Sequence, residues 1–212
     1  MINQITLYIR VMILSVSLVQ SFLAYSQQLD DTCMLLINRA WTHPVFDQIA
    51  LLMRESILHI PLYIFLFFIA YQIFGKKAFW WLLGAFALIA FTDLLSSQVI
   101  KYTFNRLRPC RDPFMSVHIR FLAKYCGTNP SFTSSHALNH FAFAAYTVHS
   151  FKHLSKWYNL LFVWAGIIAY SQVYVGVHYP SDVLVGAGIG ILLGWMGYRV
   201  TNQALSLHHP NT

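Results

Sequence analysis

Long apolar runs separated by short polar stretches make up most of the chain. A helix that crosses a bilayer needs about 20 mainly apolar residues, because each residue advances it by about 1.5 Å through a hydrocarbon layer of about 30 Å. We therefore expect an all-α fold, a polytopic membrane helix bundle with about six transmembrane helices. The predicted segments are Leu7–Tyr25, Ile57–Phe74, Ala78–Ile100, Ala137–Phe151, Trp157–Gly176 and Val183–Val200.

Two of these segments carry patterns of their own. The fourth is short and contains Asn139 and His140, which favours a position inside the bundle over one facing lipid. The sixth contains Gly186, Gly190 and Gly194 at intervals of four residues, a pattern that allows close helix packing. These glycines do not indicate a nucleotide-binding loop, because no strand precedes them.

The N-terminal segment has two interpretations. Residues 1–26 form either the first transmembrane helix or a secretory signal peptide, for which the small residues Ala24 and Ser26 would provide a cleavage site. In both cases residues 27–212 form one membrane domain, and the chain emerges at residue 27 on the outer side. Residues 29–53 mix apolar and polar positions at helical spacing, which predicts amphipathic helices on the outer membrane surface.

The basic residues predict the orientation, since cytoplasmic loops of membrane proteins carry an excess of lysine and arginine. With a cytoplasmic N-terminus, one basic set lies on the cytoplasmic side: Lys76, Lys77, Lys152, Lys156 and Arg199. A second set lies on the outer side: Arg106, Arg108, Arg111 and Lys124. This second set departs from the general rule, so we expect an anionic ligand at the outer face.

Composition supports the membrane assignment. Of the 212 residues 57% are apolar and 10% are charged, whereas soluble domains have about 25% charged residues. The net charge of +7 would suggest nucleic acid as a partner of a soluble protein, but here it indicates the anionic lipids of the bilayer, and we expect no nucleic acid partner. The three cysteines form no CxxC pair and no zinc-ligand pattern.

The first candidate for chemistry follows the third apolar run. Lys101 and Arg108 are seven residues apart, or two helical turns. On one helix they would project from the same face, and together they make a good clamp for phosphate oxygens. The alternative interpretation is a pair of cations that extend to the membrane boundary.

The second candidate opens the fourth apolar run. Ser134 and Ser135 stand at a predicted helix start, where unpaired N–H groups favour an anion, and His136 follows in the first turn. The alternative is an ordinary serine cap beside a boundary histidine. His136 and His140 have the spacing of a metal pair, but no third ligand stands at a suitable spacing, so we predict no metal ligands.

The third candidate opens the sixth apolar run. His178 and Asp182 are four residues apart, so the carboxylate can accept the proton of one imidazole nitrogen and leave the other free as a nucleophile. The alternative is a local helix cap beside an interfacial histidine. The predicted topology places all three candidates at helix ends on the outer face, a combination that describes phosphoryl transfer without a metal.

These blocks resemble the type 2 phosphatidic acid phosphatase superfamily, which includes the vanadium haloperoxidases. The signature of that superfamily is K-x6-R-P, P-S-G-H and S-R-x5-H-x3-D. The corresponding blocks here are "KYTFNRLRP" at 101–109, "TSSH" at 133–136 and "SQVYVGVHYPSD" at 171–182. Three residues depart from the signature: Thr133 replaces proline, Ser135 replaces glycine and Gln172 replaces arginine.

The resemblance implies a role for each matching residue. His178 would attack phosphorus and form a phosphohistidine, Asp182 would orient it, and His136 would protonate the leaving oxygen and later activate water. The implied phosphate-binding residues are Lys101, Arg108, Ser134, Ser135 and Gln172. Gln172 lacks the charged fork of an arginine, for which Arg106 or Arg111 could compensate. No metal or organic cofactor is implied.

The resemblance also implies a substrate class and a location. A bacterial integral-membrane lipid phosphatase would face the periplasm and hydrolyse undecaprenyl diphosphate, phosphatidylglycerol phosphate, phosphatidate or a lipid A phosphate. The alternative is a weakened lipid-phosphate binder or transporter, which Gln172 favours. A haloperoxidase does not suit a chain with about six membrane spans. In an oxidising periplasm Cys110 and Cys126 would form a disulfide, with Cys33 free; the alternative is that Cys110 and Cys126 are two free thiols. The sequence leaves the oligomeric state open.

Overall fold

The structure is a computed structural model that describes residues 2–151 and 153–207. Those residues form α-helices joined by loops and short 3-10 and π-helical turns, with no strand among them. The helices are α1 (Ile2–Leu35), α2 (Pro44–Leu52), α3 (Ile60–Phe74), α4 (Ala78–Leu94), α5 (Lys101–Phe104), α6 (Ser135–Phe151), α7 (Leu160–Tyr174) and α8 (Pro180–Leu205). Two helical stretches, Ser56–Phe104 and Pro180–Leu205, are long and apolar enough to cross a membrane. The predicted all-α fold is confirmed, and the count of about six membrane spans stays a prediction.

Helix α6 lies at the centre of the bundle. It packs against α4, α7 and α8, and most of its side chains are buried, including the polar Thr147. Its neighbours can approach closely because small residues such as Ala142 and Ala145 occupy its surface. The prediction that the fourth apolar segment faces the interior is confirmed.

The contact between α6 and α8 depends on glycine. A Cβ atom at Gly190 would lie 2.4 Å from the carbonyl oxygen of Leu138, and one at Gly194 would lie 2.2 Å from that of Ala142. Atoms in proteins do not approach so closely, so any larger residue would push the helices apart. The predicted close packing of the sixth segment is confirmed, and it fixes the N-terminus of α8 beside that of α6.

The chain reverses between α3 and α4, which pack against each other. Gly75 permits the turn with φ at +56°, a conformation that other residues rarely adopt. The Nζ of Lys77 in this turn donates to the carbonyl oxygen of Ser206, 3.4 Å away, just past the end of α8. The basic turn and the C-terminus of α8 therefore share one end of the bundle, as predicted. Lys152 lies outside the described residues.

The segment after α4 differs from the prediction. A π-helical turn, Leu95–Ile100, follows α4, and the short α5 then ends because Asn105 adopts a left-handed conformation with φ at +43°. Arg108 therefore lies in a loop and not two turns beyond Lys101 on one helix. The predicted shared helix face is wrong, and the loop itself determines where Arg108 lies.

The N-terminal helix also extends beyond its predicted end. Helix α1 continues unbroken through residue 26 to Leu35, so the first part of the predicted amphipathic region continues this helix. A π-helical turn, Leu36–Ala40, and α2 follow. Helix α2 starts at Pro44, which suits the first turn of a helix, and packs against α7.

Candidate active site

The three candidate blocks converge at the end of the bundle opposite the Lys77 turn. The N-termini of α6 and α8 meet there, and the backbone N–H of Ser134 donates to the carbonyl oxygen of Asp182 at 3.1 Å. The loop from Asn105 to Ser131 covers the same end, because Arg106 donates to the carboxylate of Asp182 at 2.9 Å and Arg108 donates to the carbonyl oxygen of Val177 at 3.2 Å. Residues far apart in the chain therefore share one small site.

Asp182 fixes the orientation of His178. The carboxylate is fully buried in the first turn of α8, and its Oδ2 atom lies 3.4 Å from Nδ1 of His178. The same oxygen accepts hydrogen bonds from the backbone N–H of Tyr179, at 2.9 Å, and from the hydroxyl of Ser131. With the proton on Nδ1, the other ring nitrogen Nε2 keeps its lone pair and faces Arg108 at 3.2 Å.

The environment of His178 keeps its imidazole neutral. The side chain is 3% exposed, and burial lowers its pKa from the ordinary 6.5 to about 4. The hydrogen bond to Asp182 acts in the opposite direction, whereas the charges of Arg108 and Lys101 lower the pKa further. At neutral pH the nitrogen facing Arg108 is therefore unprotonated, as a nucleophile requires.

Arg106 anchors the other oxygen of Asp182. Its Nη1 atom donates to Oδ1 of Asp182 at 2.9 Å, and its Nη2 atom donates to Oδ2 of Asp30 at 2.7 Å. The guanidinium also lies 4.0 Å above the ring of Tyr179. Asp30 belongs to α1 and also binds the backbone N–H and the hydroxyl of Ser181. With its charge paired to these carboxylates, Arg106 does not compensate for Gln172.

Lys101 is buried against the loop that leads into α6. Its Nζ atom donates to the backbone carbonyls of Pro130, Ser131 and Thr133 at 3.1, 3.4 and 2.8 Å. The ammonium therefore fixes the conformation of the chain just before Ser134. A contact between Lys101 and phosphate stays a prediction, since these carbonyls take its three protons.

Arg108 reaches the nucleophile from the covering loop. Its Nε and Nη2 atoms donate to the backbone and side-chain oxygens of Asn129 at 3.0 and 2.8 Å. Its Nη1 atom donates to the carbonyl oxygen of Val177 at 3.2 Å and points at Nε2 of His178. Gly127 allows the approach, since a Cβ there would lie 3.2 Å from Nε of Arg108. Arg108 thus lies where a phosphoryl group bound to His178 would need a cation.

A disulfide between Cys110 and Cys126 closes the covering loop, with their Cα atoms 6.1 Å apart. The bridge joins the segment that follows Arg108 to the segment that precedes Asn129. It therefore holds Asn129, which binds the guanidinium, close to Arg108. Cys33 is free and exposed. This pairing is the one expected from the sequence.

The start of α6 supplies the second block. The buried Ser134 caps the helix, and its Oγ accepts a hydrogen bond from the backbone N–H of Ala137 at 3.4 Å. The Oγ of Ser135 lies 2.9 Å from that of Ser96 in the π-helical turn. The serine that replaces the signature glycine therefore ties α6 to the preceding segment, while the first N–H groups of the helix have no acceptor within it.

His136 faces a largely apolar cavity of about 430 Å3 between α3, α4 and α6. Tyr63, Phe86 and Phe143 contribute to the apolar wall, and the ring of His140 stacks on that of His136 with the centroids 6.2 Å apart. The predicted acid therefore lies where the polar end of the bundle meets an apolar space.

Gln172 is buried in α7, and a hydrogen bond of its amide nitrogen stays within that helix. Its Nε2 atom donates to the carbonyl oxygen of Ile168, one turn earlier, at 3.4 Å. Its Oε1 atom accepts a hydrogen bond from Nε of Arg54 at 3.2 Å. A direct contact between Gln172 and phosphate stays a prediction.

Sequence reasoning missed four residues of this site: Asp30, Arg54, Asn129 and Ser131. Each lies outside the matching blocks and reaches the site through the tertiary fold, so no spacing pattern marks it. The one available signal was Gln172, which replaces the arginine of the signature and so indicated that another residue would have to supply that positive charge.

Comparisons with known proteins agree with this arrangement. A family model described as the PAP2 superfamily matches residues 78–206, more than half of the chain. The lipid A 4'-phosphatase of Porphyromonas gingivalis is 30% identical over 77% of this chain and 70% of that protein. The phosphatidylglycerophosphatase B of Bacillus subtilis is 30% identical over 91% of this chain and 92% of that protein.

Solved structures show the same architecture. LpxE of Aquifex aeolicus superposes with a TM-score of 0.59 at 28% identity, over 79% of this chain and 93% of that structure. A transmembrane PAP2-type phosphatidylglycerolphosphate phosphatase from Bacillus subtilis superposes with a TM-score of 0.58 at 22% identity. The superposition covers 89% of this chain and 96% of that structure. The second likeness concerns the fold alone.

Proposed function

The chain belongs to the PAP2 superfamily, and from this premise we propose that it is a membrane-bound lipid phosphatase that acts through a phosphohistidine. The observation that carries the proposal is the geometry around His178. Its Nδ1 faces Asp182, its Nε2 faces the guanidinium of Arg108, and the buried imidazole is neutral. A neutral nucleophile beside a fixed cation suits attack on an anionic phosphoryl group.

In the proposed reaction, Nε2 of His178 attacks phosphorus while the bond to the lipid oxygen breaks. His136 donates a proton to that oxygen, so the lipid leaves as an alcohol or, from a diphosphate, as a monophosphate. Water then attacks the phosphohistidine, His136 accepts its proton, and inorganic phosphate leaves with His178 restored. Arg108, Ser134 and the first N–H groups of α6 stabilise the negative charge. The chemistry requires neither a metal ion nor an organic cofactor.

The apolar cavity beside His136 supports a lipid substrate. A phosphate at the polar end of the bundle would leave an attached hydrocarbon chain next to an apolar space of about 430 Å3. The names of the relatives suggest the order of testing, because lipid A 4'-phosphatases of two organisms match most of this chain. We therefore place a lipid A phosphate first, followed by phosphatidylglycerol phosphate, undecaprenyl diphosphate and phosphatidate.

We also propose that six helices span a bacterial inner membrane, namely α1, α3, α4, α6, α7 and α8. The basic turn at Lys77 would then be cytoplasmic and the His178 end periplasmic. The disulfide between Cys110 and Cys126 supports this orientation, because it lies at the His178 end and structural disulfides persist in oxidising compartments.

A substrate panel tests the proposed function. The purified protein in detergent, with EDTA present, is incubated with the four lipid phosphates, and released phosphate is measured. We expect release from at least one lipid and none from a His178→Ala variant. Activity that EDTA abolishes would contradict the metal-independent mechanism. Binding without release would instead identify a lipid-phosphate binder.

A further inference from the structure

The guanidinium of Arg54 lies at the site, and no carboxylate in the described part of the chain forms an ion pair with it. Arg54 follows α2, and its side chain is partly buried. Within residues 2–151 and 153–207, its one side-chain hydrogen bond goes from Nε to Oε1 of Gln172. A guanidinium has five N–H donors, so both terminal nitrogens of Arg54 keep their donors available to a ligand.

The neighbouring charges make this arrangement costly unless an anion binds. Arg54 lies close enough to Arg108 and His136 to interact electrostatically with both. The nearest acid in sequence, Glu55, pairs with Lys124 at 3.0 Å, and its charge offsets only part of the effect of burial on the pKa of Arg54. Burial lowers the pKa of Arg54 and of Arg108, and the charge of Arg54 lowers the pKa of Arg108 further. Two like charges that converge in a partly buried space favour an anionic ligand between them.

The segment that carries Arg54 is held in place by a buried histidine. The Nε2 of His59 lies 3.1 Å from the carbonyl oxygen of Met53, and its Nδ1 accepts a hydrogen bond from the indole of Trp164 at 3.3 Å. The backbone N–H of Arg54 donates to the carbonyl oxygen of Leu51 at 3.3 Å. The turn is therefore tied to α7, the helix that also carries Gln172, and the guanidinium is positioned before any ligand arrives.

Gln172 completes this positioning. Its amide oxygen is an acceptor and would repel a phosphate oxygen, whereas it suits the Nε–H of Arg54. Its amide nitrogen is directed to the carbonyl oxygen of Ile168. A glutamine at this position therefore occupies the Nε edge of Arg54 and leaves its two Nη groups for a ligand.

We propose that Arg54 binds the phosphoryl oxygens of the substrate, with Gln172 as its positioning residue, so that a guanidinium from the α2 segment replaces the arginine that Gln172 displaces from the signature. This inference rests on the proposed phosphatase function. Arg54 and Arg108 then hold the phosphoryl group from two sides. Arg106 cannot serve, because Asp30 and Asp182 neutralise it.

An exchange of the two residues tests the proposal. The variants are Arg54→Ala, Gln172→Arg and the double variant, with Arg39→Ala as a matched control that removes an exposed arginine outside the site. We expect Arg54→Ala to lower kcat/KM by about 10- to 100-fold, the range expected for a charge-assisted phosphate contact. In the double variant, Gln172→Arg should recover most of the kcat/KM lost in Arg54→Ala. The Arg39→Ala control should keep the wild-type kcat/KM.

Binding of inorganic phosphate, measured by calorimetry in detergent, provides a readout that does not depend on turnover. We expect weaker binding in Arg54→Ala, recovery in the double variant and unchanged thermal midpoints. Wild-type kcat/KM and phosphate affinity in Arg54→Ala, or a loss that Gln172→Arg does not relieve, would overturn the role of Arg54. A wild-type protein that hydrolyses no lipid phosphate would overturn the proposed function, while the binding measurements would still decide on Arg54.

Discussion

At the scale of single residues, the carboxylate of Asp182 is held from several sides. Four groups are arranged around its two oxygens: the imidazole of His178, the backbone N–H of Tyr179, the hydroxyl of Ser131 and the guanidinium of Arg106. The side-chain amide of an asparagine would carry N–H donors where the neighbouring groups are themselves hydrogen-bond donors. We therefore expect Asp182→Asn to lower kcat by about 1,000-fold or more, as when a catalytic histidine loses its orienting carboxylate.

Steady-state kinetics on the preferred lipid check this prediction. Ser131→Ala, which removes one donor and keeps the carboxylate, should cost much less than Asp182→Asn. A kcat for Asp182→Asn within a few-fold of the wild type would show that the carboxylate does not orient His178.

The lowered pKa of His178 predicts how activity depends on pH. The nucleophile must be unprotonated, and its pKa is about 4, so the reactive form prevails above that value and is lost only as the pH falls through it. The acid limb of kcat/KM, which reports the free enzyme, should lie well below the ordinary histidine value of about 6.5. A limb centred near that ordinary value would contradict the neutral, buried imidazole.

Local spacing was sufficient to predict the pair of His178 and Asp182, because His178 lies two residues before α8 and Asp182 lies in the first turn of that helix. It could not predict Asp30, Ser131 or Arg54. Their contacts with the site join segments separated by 151, 51 and 118 positions in the chain. Such contacts follow from the packing of the bundle, which no local pattern records.

At the scale of helices, the packing of α6 against α8 predicts a strong difference between neighbouring glycines. Gly190→Ala or Gly194→Ala would place Cβ atoms within 2.4 Å of backbone oxygens, whereas a Cβ at Gly188 would meet nothing within 4 Å. We expect each of the first two to destabilise the protein by about 1–3 kcal/mol, as overpacking does, and to reduce activity. Gly188→Ala should keep or slightly raise stability, since alanine favours helix.

Thermal unfolding in detergent, followed by intrinsic fluorescence, measures these effects, and phosphate release is assayed on the same samples. The same unfolding midpoint for Gly190→Ala and Gly188→Ala would contradict the close contact. Because Ser134 and Asp182 meet at the end of this interface, loss of packing should reduce activity before the helices unfold.

The apolar runs were sufficient to predict where most helices lie, since burial in lipid or in the bundle requires the same residues. They predicted three helix boundaries, the end of α3 at Phe74, the start of α4 at Ala78 and the end of α6 at Phe151, but not the others. Asn105 ends α5 through a left-handed conformation, and the π-helical turn at Leu95–Ile100 changes which side chains face α6. Neither feature alters hydrophobicity, so the apolar pattern carried no sign of them.

At the scale of the whole molecule, the site and the basic turn lie at opposite ends of the bundle, which predicts opposite sides of the membrane. In a Cys33→Ser background, Val117→Cys and Lys76→Cys place single thiols at exposed positions near the two ends. With a membrane-impermeant maleimide, intact spheroplasts should label the cysteine at 117. The cysteine at 76 should react only after permeabilisation. The reverse pattern would contradict a periplasmic site.

The central claim is that His178 carries the phosphoryl group during turnover, and trapping of the intermediate tests it most directly. The enzyme is mixed with a lipid phosphate labelled in the phosphoryl group, quenched in alkali, in which phosphohistidine survives, and mapped by peptide mass spectrometry. We predict label on His178 in the wild type and none in His178→Ala. Label on a different side chain, or labelling and turnover that persist in His178→Ala, would contradict the account.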